Sequence, residues 1–176
     1  MELLDLYDYQ RRPTGKTMVR GDEHPEGMYP PVVHIVIFRP DGRMLIQQRQ
    51  SFKKGWPNYW DISVGGSAQT GEDSPTAAMR ETREELGLTV DLTGQRPALT
   101  NCSGGAFDDI YILELPVELS ELRLQPEEVQ SAAFATQEEI FAMIDDGRFI
   151  PYLKSFIMLL FDLHRRGGMV DYSKKK

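Results

Sequence analysis

The chain holds a single cysteine, Cys102, which excludes an internal disulfide and suits a reducing compartment such as the cytoplasm. Positive charge is also scarce: 20 Lys and Arg stand against 27 Asp and Glu, for a net charge of −7. That argues against a general nucleic-acid surface, since binding to a phosphate backbone rests on basic side chains. It leaves room for a small phosphate ligand, because a bound cation reverses the local field. No basic-then-apolar leader opens the chain; Met1-Glu2-Leu3-Leu4-Asp5 is acidic. The longest apolar run near the end, Phe156 to Phe161, is far too short to span a bilayer, so no membrane is expected. There is no internal repeat. What remains, 176 residues with 40% hydrophobic and 27% charged side chains, is ordinary for a globular protein able to bury a core.

The most informative stretch runs from Gly66 to Leu88. Ser74-Pro75 reads as an N-cap followed by a first-turn proline, and Gly87 as a C-terminal stop, so a helix is expected from about Pro75 to Leu86. On a helical wheel Ala78, Met79, Thr82 and Leu86 share one side and should face the core. Glu81, Glu84 and Glu85, at i, i+3 and i+4, share a neighbouring side and should face a cleft. Carboxylates so crowded repel one another unless a cation sits among them, and hard oxygen ligands suit Mg²⁺. A glycine-rich loop, Gly65 to Gly71, and a strand precede the helix.

This spacing resembles the signature of the Nudix hydrolase family: Gly, five residues, Glu, seven residues, then Arg-Glu-aliphatic-x-Glu-Glu-x-Gly-aliphatic. Gly66, Glu72, Arg80, Glu81, Glu84, Glu85, Gly87 and Leu88 stand in those places. Thr82 departs, occupying an aliphatic position on the core face. Its hydroxyl is expected to find the carbonyl of Ala78. The departure touches packing and leaves the carboxylates intact. The resemblance implies that Glu81, Glu84 and Glu85, with the carbonyl of Gly66, hold Mg²⁺ (or Mn²⁺), and that Glu72 ties to Arg80.

Elsewhere the chain alternates strands and turns. Leu4 to Tyr9 reads as a strand, Pro13 to Lys16 as a turn and Thr17 to Val19 as a returning strand; Gly21 to Pro31, with three prolines, should be irregular. Val32–Phe38 and Arg43–Arg49 are expected strands joined by a turn at Arg39-Pro40-Asp41-Gly42. His34, inside the first of these, reads as a histidine satisfied by one hydrogen bond. Trp56-Pro57-Asn58-Tyr59-Trp60 favours core packing over a base-stacking platform. Tyr59 to Val64 reads as a strand, as do Thr89 to Leu92, Asp109 to Leu115 and Val129 to Ala135, while Gly94 to Gly105 looks like a loop. Thr136-Gln137-Glu138-Glu139 is a capping box opening a helix to about Asp146. Pro151 to Arg166 is a last amphipathic helix, ended by Gly167-Gly168. Together these elements predict an α+β fold, an α/β/α sandwich with a mixed sheet. One Nudix-like domain is expected over residues 1–167, with 1–30 a β extension packed on it and 168–176 a disordered tail.

The run Leu45-Ile46-Gln47-Gln48-Arg49…Lys53-Lys54-Gly55-Trp56-Pro57…Trp60-Asp61-Ile62-Ser63-Val64-Gly65-Gly66 looks like the isopentenyl-diphosphate isomerase branch of the family and its hydrolase-like relatives. By that resemblance Arg49 and Lys53 grip the substrate diphosphate; the bland alternative is a solvated loop. The isomerases need a cysteine where Gly65 stands, a metal histidine where Ser67 stands, and another where Pro30 stands. The resemblance therefore implies hydrolysis of a diphosphate linked to some other group, a nucleoside diphosphate being the default. Altered isomerase chemistry and a non-catalytic ligand sensor are the alternatives. The general base is open among Glu81, Glu85, Glu127 and Glu128. The partner is a small-molecule diphosphate rather than a nucleic-acid polymer, and a homodimer is compatible with the sequence.

Overall fold

The computed structural model describes residues 2–167 and 170. Nine strands and three helices among them make an α+β fold. The chain forms two compact units, one from residues 1–35, 64–84 and 88–111, the other from 36–63, 85–87 and 112–176. The expected tail, 168–176, lies outside the described residues save for Val170.

In the first unit, β1 (Leu3–Tyr7) and β2 (Pro13–Val19) form an antiparallel hairpin. Alternation turns Leu4, Leu6 and Met18 inward, where Met28 packs on them. The turn is not at Pro13–Lys16 as expected but at Asp8–Arg12. Asp8 accepts from Arg12 N (2.9 Å) and from the Arg12 guanidinium, while Arg11 takes φ 61°. An Asp side chain closing its own loop wins here, and Pro13 fits as the first residue of a strand. The hairpin also holds the signature loop: Thr70 N donates to Leu3 O (2.8 Å) and Gly71 N to the Asp5 carboxylate (2.8 Å).

The N-terminal half of β3 (Pro31–Phe38) pairs antiparallel with β6 (Val64–Ser67), from Val32↔Ser67 to Ile35↔Val64. Two expectations fail further on. Leu99–Ser103, read as loop, is β7, paired with β8 (Ala106–Glu114) through Gly104-Gly105. Both glycines have positive φ (61° and 92°), so they make a tight hairpin turn. Thr89–Leu92, read as strand, is not one and has no strand partner among the described residues. Leu92 instead plugs the core, and its N–H meets Met79 Sδ at 3.3 Å.

Behind β8 lies a polar network. Asp109, with a fully buried side chain, accepts from Arg11 Nη1 (2.8 Å), from Arg11 Nη2, and from Thr100 Oγ1 (2.7 Å). Burial alone would raise its carboxyl, but hydrogen bonds from Arg11, Ser74 and Thr100 outweigh that and hold it below the usual range. A folded pKa below the unfolded one adds stability above the unfolded value, and that stability is lost as pH falls through the folded value. Asp109→Asn should therefore destabilise the protein at pH 7 by about 1.5–3 kcal/mol, as for hydrogen bonds to a charged group. In urea melts run from pH 7 downward, the gap between variant and parent should narrow below about pH 4.

In the second unit β4 (Met44–Arg49) is central. It pairs antiparallel with β9 (Val129–Ala135) from Met44↔Ala135 to Arg49↔Val129, and with β5 (Trp60–Asp61) at Gln47↔Asp61. The single strand expected over Tyr59–Val64 is two, β5 and β6, parted at Ile62-Ser63. The buried Ser63 hydroxyl explains the break: it accepts from Ile37 N (2.8 Å) and donates to Leu45 O (2.5 Å), standing in for ladder bonds. Thr136 caps α2 (Gln137–Asp145) by the expected box. The last helix, α3 (Lys154–Arg166), starts later than expected, after Leu153, and buries Ile157, Leu160 and Phe161. Phe161 meets Phe38 edge-on at 4.9 Å.

The sheet reads β5-β4-β3-β8-β7, with β6 also on β3 and β9 also on β4. Phe107 N donates to Pro30 O at one end of the β3–β8 pair and Leu115 N to Phe38 O at the other. Both chains advance together, so β8 runs parallel to β3 and the sheet is mixed, as expected.

Candidate active site

The acidic helix α1 spans Ser74–Leu86. Its cap is Asp73, one residue earlier than expected, because Asp73 Oδ1 accepts from Thr76 N (3.0 Å) while Ser74 Oγ is engaged with Tyr111. Ala78, Thr82 and Leu86 are fully buried. Thr82 Oγ1 donates to Ala78 O at 2.7 Å, so the departure from the family pattern is satisfied as expected. Gly87 (φ 71°) ends the helix.

Arg80 gathers the carboxylates of the first unit. Its Nε and Nη2 reach Glu72 (2.7 and 2.9 Å), Nη1 reaches Glu81 (2.9 Å) and Glu84 (3.0 Å), and Nη2 also reaches Ser67 O (3.0 Å). Every N–H of the guanidinium thus has a partner, a set no lysine could reproduce. Glu72 also accepts from Gln69 N (2.9 Å), so the expected Glu72–Arg80 tie fastens the loop to the helix. Burial acts to raise the Glu72 carboxyl, but Arg80 and the Gln69 N–H hold it below the usual range.

Glu81 is different. It is 8% exposed, and burial pushes its carboxyl above the usual range despite Arg80. Its carboxyl group lies against Gly66: a Cβ on that glycine would fall 2.1 Å from the carboxyl carbon and from Oε1. The backbone of Gly66 and the carboxylate of Glu81 thus occupy one spot, the pair named by the family resemblance. Glu84 is the exposed member, its side chain 42% accessible. The donor set is oxygen throughout, which suits a hard divalent cation. Among the described residues no three His, Cys, Asp or Glu side chains converge as a ready-made metal cage, and the cation amid Glu72, Glu81 and Glu84 is Arg80.

Glu85, in the second unit, is 4% exposed and accepts from Gln47 Nε2 (2.9 Å), whose own Oε1 is buried with no protein partner. Two residues along β4, Arg49 donates to Gly55 O (3.0 Å) and approaches Asp61 at 3.4 Å. Asp61 also accepts from Tyr152 Oη (2.9 Å). Lys53 is paired with Glu128, while Glu127 is exposed. Each cation of the expected clamp thus has a carboxylate partner in the free protein. Gln47, Asp61 and Tyr152 are site neighbours that the sequence reading passed over; Gln47 and Asp61 lie inside the quoted motif run, whereas nothing local marks Tyr152. His34 bonds Asp108 (3.1 Å), as expected of a satisfied histidine.

The fold and this motif define a Nudix protein. The NUDIX domain matches residues 28–153, and the chain belongs to that family. It is an enzyme of the Nudix hydrolase type, a pyrophosphohydrolase. An uncharacterized Nudix hydrolase of Listeria monocytogenes is 47% identical over 163 residues, 93% of this chain and 95% of the relative. An isopentenyl-diphosphate Delta-isomerase of Cutibacterium acnes is 33% identical over 126 residues, 65% of this chain and 62% of the relative. Among solved structures, DR0079 from Deinococcus radiodurans matches with a TM-score of 0.73 at 25% identity, covering 90% of this chain and 97% of that one. Nudix hydrolases use divalent metal ions. No helix among the described residues is long and apolar enough to cross a membrane.

Proposed function

We propose that this protein is a Mg²⁺-dependent hydrolase, Mn²⁺ serving in its place, that cleaves the diphosphate linkage of a nucleoside diphosphate or of one linked to another group. The observation that carries the reading is the buried Glu81 carboxylate seated against the Gly66 backbone on a helix that also presents Glu84 and Glu85. These carboxylates, with the Gly66 carbonyl, would hold the cation. Bound there, it would acidify a water and neutralise charge on the phosphate oxygens. Arg80 holds Glu81 and Glu84 in place. The general base is proposed to be one of Glu81, Glu85, Glu127 and Glu128; in the free protein Arg80 engages Glu81 and Lys53 engages Glu128.

The test is a panel of nucleoside diphosphates and their conjugates incubated with Mg²⁺, assayed for released monophosphate or phosphate. Isopentenyl diphosphate belongs in the same panel. With Gly65 and Ser67 in place of the isomerase cysteine and histidine, no dimethylallyl diphosphate should form; its appearance would overturn the hydrolase reading.

Arg49 and Lys53 are proposed to grip the diphosphate by exchanging Asp61 and Glu128 for phosphate oxygens. Arg49→Ala should raise KM and lower kcat/KM about tenfold to a hundredfold, the scale of a charge-assisted hydrogen bond. Arg49→Lys should rescue only in part, because the two-pronged fork is lost. Lys53→Ala should act more weakly in the same direction, and Lys54→Ala hardly at all. Parental kinetics in both Arg49→Ala and Lys53→Ala would return the cluster to a solvated loop.

A further inference from the structure

The aromatic loop after β4 is not core. Trp56 is 46% exposed and Phe52 67% exposed, and Tyr59 is only half-buried. A large indole left in water is unfavourable by its apolar area, so its exposure needs a reason. The backbone beneath it is strained as well: Trp56 and Asn58 have φ 51° and 64°, a region that side-chain-bearing residues seldom adopt. Such conformations persist when the surroundings enforce them, and they gather at ligand clamps.

The enforcement comes from the end of β4, the strand that carries the proposed clamp. Arg49 N donates to Tyr59 O (2.9 Å), Arg49 Nε to Gly55 O (3.0 Å) and Gln48 Nε2 to Asn58 O (3.0 Å). Within the loop Tyr59 N reaches Trp56 O (3.3 Å). The indole meets Tyr59 edge-on, with centroids 5.2 Å apart at 64°. An edge-on neighbour restrains an indole without covering both its faces. The result is a rigid, exposed aromatic plane fixed to the residue that would grip the diphosphate.

We infer that Trp56 is the platform on which the planar base of a nucleoside diphosphate stacks, so that residues 50–59 decide which organic group a substrate carries. This rests on the diphosphate reading of the preceding section. A flat ring matches a flat ring and tolerates the polar neighbours Gln48, Lys53 and Asn58.

The test is calorimetric titration, with Mg²⁺, of an α,β-methylene nucleoside diphosphate, which resists hydrolysis, and of methylenediphosphonate, which has no base. The proteins are the parent, Trp56→Ala and Trp56→Phe, with folding checked by near-ultraviolet dichroism. The parent should prefer the nucleoside compound by about tenfold or more, as base–aromatic stacking allows. Trp56→Ala should abolish the preference while leaving affinity for methylenediphosphonate unchanged, and Trp56→Phe should retain most of it. An unchanged preference in Trp56→Ala, or none in the parent, overturns the inference while leaving the diphosphate reading standing. If the parent binds neither compound, the diphosphate reading fails and the inference falls with it.

Discussion

Glu85→Gln should lower kcat at least about a hundredfold, the scale of lost electrostatic stabilisation at a reacting centre, while the thermal melt stays near that of the parent. The substitution keeps shape and removes charge. Glu85 is almost fully buried, and Gln47 Nε2 donates to its carboxylate at 2.9 Å. A glutamine oxygen can accept the same bond, so the fold loses little. What disappears is the anionic donor that a divalent cation needs. Glu84→Gln should behave alike in kcat and should perturb the fold even less, because its side chain is 42% accessible. Excess chelator should silence the parent. Full activity in chelator, or a Glu85→Gln variant as fast as the parent on the best substrate, would remove the metal from the proposal.

Gly66→Ala should be comparably inactive yet folded, whereas Gly65→Ala should work nearly as the parent does. The two glycines are adjacent in β6 and neither needs positive φ, so conformational freedom does not distinguish them. Space does. A Cβ on Gly65 would find His34 Nδ1 at 3.5 Å, an ordinary contact. A Cβ on Gly66 would lie 2.1 Å from the Glu81 carboxyl carbon and 2.6 Å from its Cγ. The obstructed atoms are the far end of a side chain, so Glu81 swings away and the helix stays. The methyl group would thus evict one proposed ligand without removing it from the sequence. Kinetics and melts on both variants check this, and a fully active Gly66→Ala would mean that Glu81 need not sit at Gly66.

The site was more legible than parts of the frame around it. Helical geometry, by which residues four apart meet, placed Thr82 on the Ala78 carbonyl, while the Glu72–Arg80 tie came from the family resemblance. Short strands were misread where the deciding partner is distant. Leu99–Ser103 is a strand because β8 lies beside it, whereas Thr89–Leu92 has no strand partner among the described residues. The break at Ile62-Ser63 turns on a hydroxyl bonded to Ile37 and Leu45. Of the Trp56–Trp60 aromatics, expected in the core because aromatic residues usually are, Tyr59 and Trp60 are partly buried, whereas the exposure of Trp56 goes with a positive-φ turn that composition does not encode. That Asp61 and Glu128 neutralise Arg49 and Lys53 depends on contacts between residues 12 and 75 apart in the chain, which a one-dimensional reading does not pair.

The backbone bonds from the hairpin to the signature loop couple their opening in time. Thr70 and Gly71 can exchange their amide hydrogens only when Leu3 and Asp5 let go, and the hairpin is in turn held at Tyr7 and Tyr29 by reciprocal bonds of 3.0 and 2.9 Å. Loop and hairpin should therefore open as one cooperative unit. In native-state hydrogen exchange the amides of Tyr7, Tyr29 and Thr70 should share one protection free energy and one denaturant slope. Separate slopes would mean that the loop breathes by itself. A common slope would make the first strands the clock for the loop on which Glu72, Arg80 and Gly66 converge.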